Sequence, residues 1–186
     1  MSKNNNVLII VANGYEDLEF TASFDILKRW GFNVEVAYLL EDNKNYVTSA
    51  SGLNVLVKET LQSIIAKLND FNYLMIPGGD ANVSRLDKSE YTSKILEHFV
   101  KKNKKVAAIC AAPILLANRG YLKEKYAICY PAKKYQSILI ANGARIKNLN
   151  CKADQECSIV IDGNIMTGLD FRTAIKFADQ LVKFFN

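Results

Sequence analysis

The sequence is poor in the residues that build metal centres. Its 186 residues include one histidine, His98, and four cysteines, Cys110, Cys129, Cys151 and Cys157, with no Cys-x-x-Cys pair. That spacing excludes a clustered zinc site. Long apolar runs are absent as well. Val7–Ala12 is far shorter than the roughly 20 residues that span a bilayer, and the polar start Met1–Asn6 lacks a signal-peptide pattern. The expectation is a cytoplasmic protein with no membrane contact. In a reducing cytosol all four cysteines are expected as thiols, including Cys151 and Cys157, which flank a polar bend. No aromatic-interleaved basic motif is present. The densest basic run, Lys101–Lys105 in a chain of net charge +5, closes a helical stretch and complements its dipole. Specific nucleic-acid binding is therefore not expected. Linkers, repeats and low-complexity segments are missing too, so one domain is expected over residues 1–186.

What is present is an alternation of short β-like runs and longer helical ones. Strands are expected at Val7–Ala12, Asn33–Leu39, Tyr73–Ile76, Val106–Ile109, Tyr126–Cys129, Arg145–Leu149, Ser158–Ile161 and Ile165–Thr167. A small hairpin or an excursion from the sheet is expected from Tyr46–Thr48 and Asn54–Val57, separated by Ser51-Gly52. Helices are expected over 17–30, with Leu18, Ala22, Leu27 and Trp30 as its apolar set, and over 59–68, 89–103, 113–119, 132–142 and 170–185. The class is α/β: a mostly parallel sheet with helices on both faces.

Open α/β sheets bind ligands at the carboxyl ends of their strands. Three such ends carry suggestive residues. After Val106–Ile109 comes Cys110-Ala111-Ala112-Pro113, a thiol at a tight strand-to-helix turn. A buried cysteine is usually a small hydrophobe. At a helix start, free N–H groups and the dipole would instead favour thiolate. After Tyr73–Ile76 comes Pro77-Gly78-Gly79. Glycine pairs make turns, but a backbone without Cβ also lets an oxyanion approach an N–H, with Gly79 and Ala111 as donors. After the first strand comes Gly14-Tyr15-Glu16-Asp17-Leu18-Glu19. Glu16 and Asp17 suit a helix cap. Glu19 is either an ordinary helix residue or an inward carboxyl of raised pKa that serves the thiol.

In order and spacing these words resemble the ThiJ/PfpI superfamily, specifically its DJ-one (parkinsonism-associated) branch. They are Gly14–Glu19, Asp25–Gly31, Ile76–Gly79 and Ala107–Pro113. The resemblance implies a flavodoxin-like three-layer sandwich and a homodimer without cofactor or metal. It implies a reactive Cys110, a Glu19 carboxyl against its sulfur, and an oxyanion-type pocket of Gly79 and Ala111 N–H groups. Gly78 and Tyr130 would line the substrate. The implied activity is cofactor-free conversion of methylglyoxal to lactate, or deglycation of protein or nucleotide adducts. The implied alternative is an oxidative-stress sensor or chaperone acting through Cys110 oxidation.

Three positions depart from the family pattern. Tyr130 stands where many members have histidine. Ala111 replaces the histidine that follows the cysteine in the protease-like branch, and His98 is expected on a helix surface, which argues against a peptidase. Gly168–Thr173 replaces a glycine-rich turn.

Overall fold

The protein is described by a computed structural model covering residues 5–41, 44–146 and 148–186. Its core is a seven-stranded sheet of order β5-β2-β1-β6-β7-β9-β8. The strands are β1 (Asn6–Val11), β2 (Asn33–Tyr38), β5 (Glu59–Thr60), β6 (Tyr73–Ile76), β7 (Lys105–Ile109), β8 (Ile159–Asp162) and β9 (Ile165–Gly168). All neighbours pair in parallel except β8 and β9, which form a hairpin. Strands β3 (Tyr46–Thr48) and β4 (Asn54–Leu56) make a separate antiparallel hairpin.

The apolar runs are continuous because both sheet faces are covered. Leu8, Ile10, Leu74, Ile76, Val106 and Ala108 pack into one layer with the helices α2 (Leu61–Ile64), α3 (Asp80–Lys88), α4 (Glu90–Lys101), α5 (Pro113–Ala117) and α6 (Lys133–Ala141). Their sequence neighbours Val7, Ile9, Val11, Met75, Ala107 and Ile109 face the other layer, against α1 (Asp17–Arg29) and α7 (Ala174–Phe185). On α1, Phe20, Ser23 and Leu27 are buried at helical spacing.

Several expectations are corrected. Leu18 and Trp30 do not join the core of α1; they are 54% and 66% exposed. Residues 59–68 open with the short strand β5 and continue as one α turn and a 3-10 turn. The described residues of 126–129 and 145–149 form no strand and share one bridge, Tyr126 with Arg145. Helix α3 adds to the expected elements: its sequence DANVSRLDK is mostly polar and carries little helical apolar pattern. Cys151 and Cys157 are not free thiols but a disulfide with Cα atoms 6.0 Å apart. The polar bend between them brings the two sulfurs within bonding reach. No helix among the described residues is long and apolar enough to cross a membrane.

Candidate active site

Strand β7 ends at Cys110, which adopts φ 65°, a left-handed conformation that disfavours side chains. Cys110 N–H donates to Gly168 O at 3.0 Å and its carbonyl accepts from Tyr130 N–H at 2.7 Å. These two bonds clamp the strained residue from both sides. The chain then turns through Ala111 and Ala112, both buried, into α5, where Pro113 occupies the first turn.

Glu19 lies in the first turn of α1 and is fully buried. Glu16 accepts from Glu19 N–H at 2.8 Å and so caps the helix start. Asp17, expected as a second cap, binds Ser51 instead, through its hydroxyl at 2.6 Å and its N–H at 3.2 Å, and ties α1 to the β3–β4 hairpin. The Glu19 Oε2 accepts from Gly78 N–H at 2.6 Å. Its Oε1 is buried without a partner of regular hydrogen-bond geometry. The carboxyl as a whole interacts with the Cys110 thiol.

The glycines are required by close approach. A Cβ on Gly78 would stand 2.6 Å from Cys110 Cβ and 2.7 Å from Glu19 Oε2. Gly79, at φ 93°, would press a Cβ to 2.2 Å from Gly14 O. The N–H groups of Gly79 and Ala111 both reach Cys110. The structure thus brings Glu19, Gly78, Gly79, Cys110 and Ala111 together. It places Tyr130 beside them through its backbone bond, with its half-buried ring edge-on to Tyr135 at 5.7 Å between centroids.

Electrostatics separate the two titrating groups. Burial is the main cause that pushes the Glu19 pKa up to about 8, helped by the charges of Glu16 and Asp170 and opposed by the Gly78 bond. Burial also raises the Cys110 thiol, and a Glu19 carboxylate would raise it further. This corrects the expectation of a thiolate favoured by a helix dipole, since α5 has five residues and desolvation outweighs it. At neutral pH Glu19 holds a proton, so its repulsion is removed. Burial still holds the thiol above its ordinary value, and the Ala111 and Gly79 N–H groups offset only part of that.

Asn82 is the residue that sequence reasoning missed. It is fully buried at the start of α3. Its Oδ1 accepts from Ala12 N–H at 2.5 Å, and its Nδ2 donates to Pro77 O at 2.9 Å and Gly78 O at 3.0 Å. One amide therefore fixes the ends of β1 and β6 against each other. The only available signal was a lone asparagine three residues beyond Gly79, which is weak.

His98 is half-buried and its Nε2 lies 3.2 Å from Lys104 Nζ. Lys104 precedes β7, so His98 belongs to the edge opposite Cys110 and forms no dyad with it.

The sequence profile of the DJ-1/PfpI family matches residues 5–184. Protein DJ-1alpha of Drosophila melanogaster is 35% identical over 181 residues, covering 95% of this chain and 77% of that one. Deglycase PfpI of Pyrococcus furiosus is 30% identical over 124 residues, covering 67% of this chain and 71% of its own. The crystal structure of Drosophila melanogaster DJ-1beta superposes with a TM-score of 0.83 at 29% identity, covering 98% of this chain and 90% of that one. The parallel sheet, the elbow cysteine and the match along nearly the whole length agree, and this chain belongs to the DJ-1/PfpI family.

Proposed function

We propose that this protein is a cofactor-independent cysteine enzyme acting on small reactive aldehydes, of the glyoxalase III or deglycase type, with methylglyoxal converted to lactate as its simplest reaction. The observation that carries this reading is the buried Glu19 carboxyl set against Cys110, with Gly79 and Ala111 N–H groups on the same sulfur. A relative named a deglycase supports the reaction class.

The reactive form of the Cys110–Glu19 pair carries one proton. Glu19 takes the thiol proton as the sulfur attacks the aldehyde carbon and the S–C bond forms. The oxyanion is held by Gly79 and Ala111 N–H groups and takes the Glu19 proton, giving a hemithioacetal. Glu19, now a carboxylate, removes the proton from the former aldehyde carbon and returns it to the neighbouring carbon. The hydroxyl proton moves to the second oxygen, and the product of this enediol step is a lactoyl thioester. Water cleaves the S–C bond, releases lactate and a proton, and restores the pair. Overall, methylglyoxal and water give lactate and a proton, with no external oxidant. Tyr130 stands at the pocket wall, where a histidine would offer a second base; with tyrosine, Glu19 carries both proton steps.

Lactate formation by the purified protein tests this directly. Cys110→Ser and Glu19→Gln are each expected to remove turnover. Activity is expected to rise as pH passes through about 8, the Glu19 value, because the doubly protonated pair is idle. Turnover equal to wild type in either variant sinks the mechanism. Absence of lactate above the Cys110→Ser background, with selective peroxide oxidation of Cys110, favours a redox sensor or chaperone instead. A cytoplasmic homodimer is part of the same proposal. Exposed Leu18 on α1 and Leu53 in the β3–β4 hairpin, 54% and 61% exposed, offer apolar surface for a second copy, and light scattering at defined concentration reads the mass.

A further inference from the structure

The turn that departs from the family pattern lies against the elbow. Cys110 N–H donates to Gly168 O, which locks the end of β9 to the cysteine. Two residues later comes Asp170, fully buried. Its carboxylate accepts Arg172 N–H at 2.9 Å, Nε at 3.2 Å and Nη2 at 2.5 Å. A buried carboxylate needs such partners. They in turn fix the orientation of an arginine whose side chain is still 54% exposed. Its Nη1 makes no hydrogen bond with the described residues.

Two further relations place this guanidinium at the pocket. Asp170 is near enough for its charge to act on Glu19. Arg172 is near enough to interact with the ring hydroxyl of Tyr130, whose backbone N–H holds Cys110 O. Arg172 thus lies in the turn that follows the strand bonded to Cys110, partly open to solvent and with one nitrogen unengaged. A planar guanidinium is the side chain best matched to a carboxylate. Because Asp170 cancels much of its charge at a distance, the selection is short-ranged and requires contact with Nη1.

We propose that Arg172, oriented by Asp170, is the specificity-determining residue of the Cys110 pocket and selects α-oxoaldehydes that carry a carboxylate beyond the reacting carbons. The aldehyde half of this assignment rests on the proposed function; the anion preference rests on the geometry alone.

The test uses two electrophiles of nearly equal shape, iodoacetate and iodoacetamide, with Cys110 alkylation followed by peptide mass spectrometry. In the wild-type protein the iodoacetate-to-iodoacetamide rate ratio is expected roughly fivefold above that of N-acetylcysteine. Arg172→Gln should return it to the reference, Arg172→Lys, whose single ammonium Asp170 would engage, should lose most of it, and added salt should lower it only in the wild-type protein. A structural role for Arg172 would change both rates together and leave the ratio untouched. A wild-type ratio at or below the reference, a ratio unaffected by Arg172→Gln, or a ratio kept in full by Arg172→Lys would overturn the proposal. The second arm compares kcat/KM for 4,5-dioxopentanoate and methylglyoxal, and the carboxylate substrate is expected to lead. Anion-selective alkylation without turnover of either aldehyde would defeat the proposed reaction and leave the anion site standing. Methylglyoxal turnover without anion selectivity would do the reverse.

Discussion

Cys110 sits between two unlike flanks. On the β1–β6 side, Glu19, Gly78, Gly79 and Asn82 are packed so tightly that an added Cβ on either glycine has no room. On the β9 side, Tyr130 is half-buried, Arg172 reaches solvent, and the neighbouring disulfide loop packs Cys151 with Ile128 and Leu169. The first flank fixes the reacting atoms and tolerates almost no change. The second sets what can approach and has room to vary. A rigid chemical half and an adjustable recognition half can therefore share one cysteine.

The sharpest way to break this contrast is a methyl group on the rigid side. Gly79→Ala should cost roughly 3 kcal/mol of stability or more, from its positive φ and the clash with Gly14 O, as read by urea denaturation. A loss under about 1 kcal/mol would show that this flank relaxes. Asn82→Ala comes next. It leaves the Pro77 carbonyl and the Ala12 N–H without their Asn82 partner and takes one of two donors from the Gly78 carbonyl, which keeps Glu16 N–H, for about 2–3 kcal/mol and a slower Cys110 alkylation. On the adjustable side, Cys151→Ser with Cys157→Ser should cost about 2 kcal/mol, since the closed loop is short. Its effect on the Cys110 reaction should be smaller than that of Asn82→Ala.

Glu19 gives a pH signature of the rigid flank. Its pKa is raised on folding, from the usual 4.5 to about 8, so the native state holds the proton more tightly than the unfolded chain. Stability is then fully present below the unfolded value and falls as pH rises towards about 8. Glu19→Gln should flatten that slope in denaturation series between pH 5 and 8, and an unchanged slope would assign it to other groups. The smallest effect is expected at Tyr130→Phe, whose hydroxyl makes no hydrogen bond with the described residues. Its kcat/KM should stay within about threefold of wild type.

The same contrast explains what the sequence disclosed. Cys110 and Gly78–Gly79 follow buried strands at once, so locating the strands located them, whereas Glu19 sits a loop away in α1, where the pattern leaves its inward face open. Asn82 acts through three backbone groups on two other strands' ends, and no local pattern marks a side chain that bonds backbone at a distance. The Asp170–Arg172 fork was hidden for a similar reason. Its spacing is short, but its relation to Glu19 arises only when β9 pairs with β7. Residues 126–129 and 145–149 have strand-like composition, yet among the described residues they share a single bridge, because propensity cannot supply a sheet edge to join. Helix α3 went the other way. It is built on a polar sequence that tertiary packing of Val83 and Leu86 holds in place. The thiol pKa was misjudged because dipole arguments ignore burial depth, which only the packed structure reveals.

The positive φ of Cys110 has a consequence for how such a protein changes over time. Any non-glycine residue at that position bears the same conformational penalty, of order 1 kcal/mol or more. Cys110→Ser and Cys110→Ala therefore inherit the penalty while losing the chemistry. Glycine would relieve it. A lineage released from selection for reactivity has a downhill step towards glycine at this one position. A retained cysteine here marks a chain whose stability is continually traded against its use.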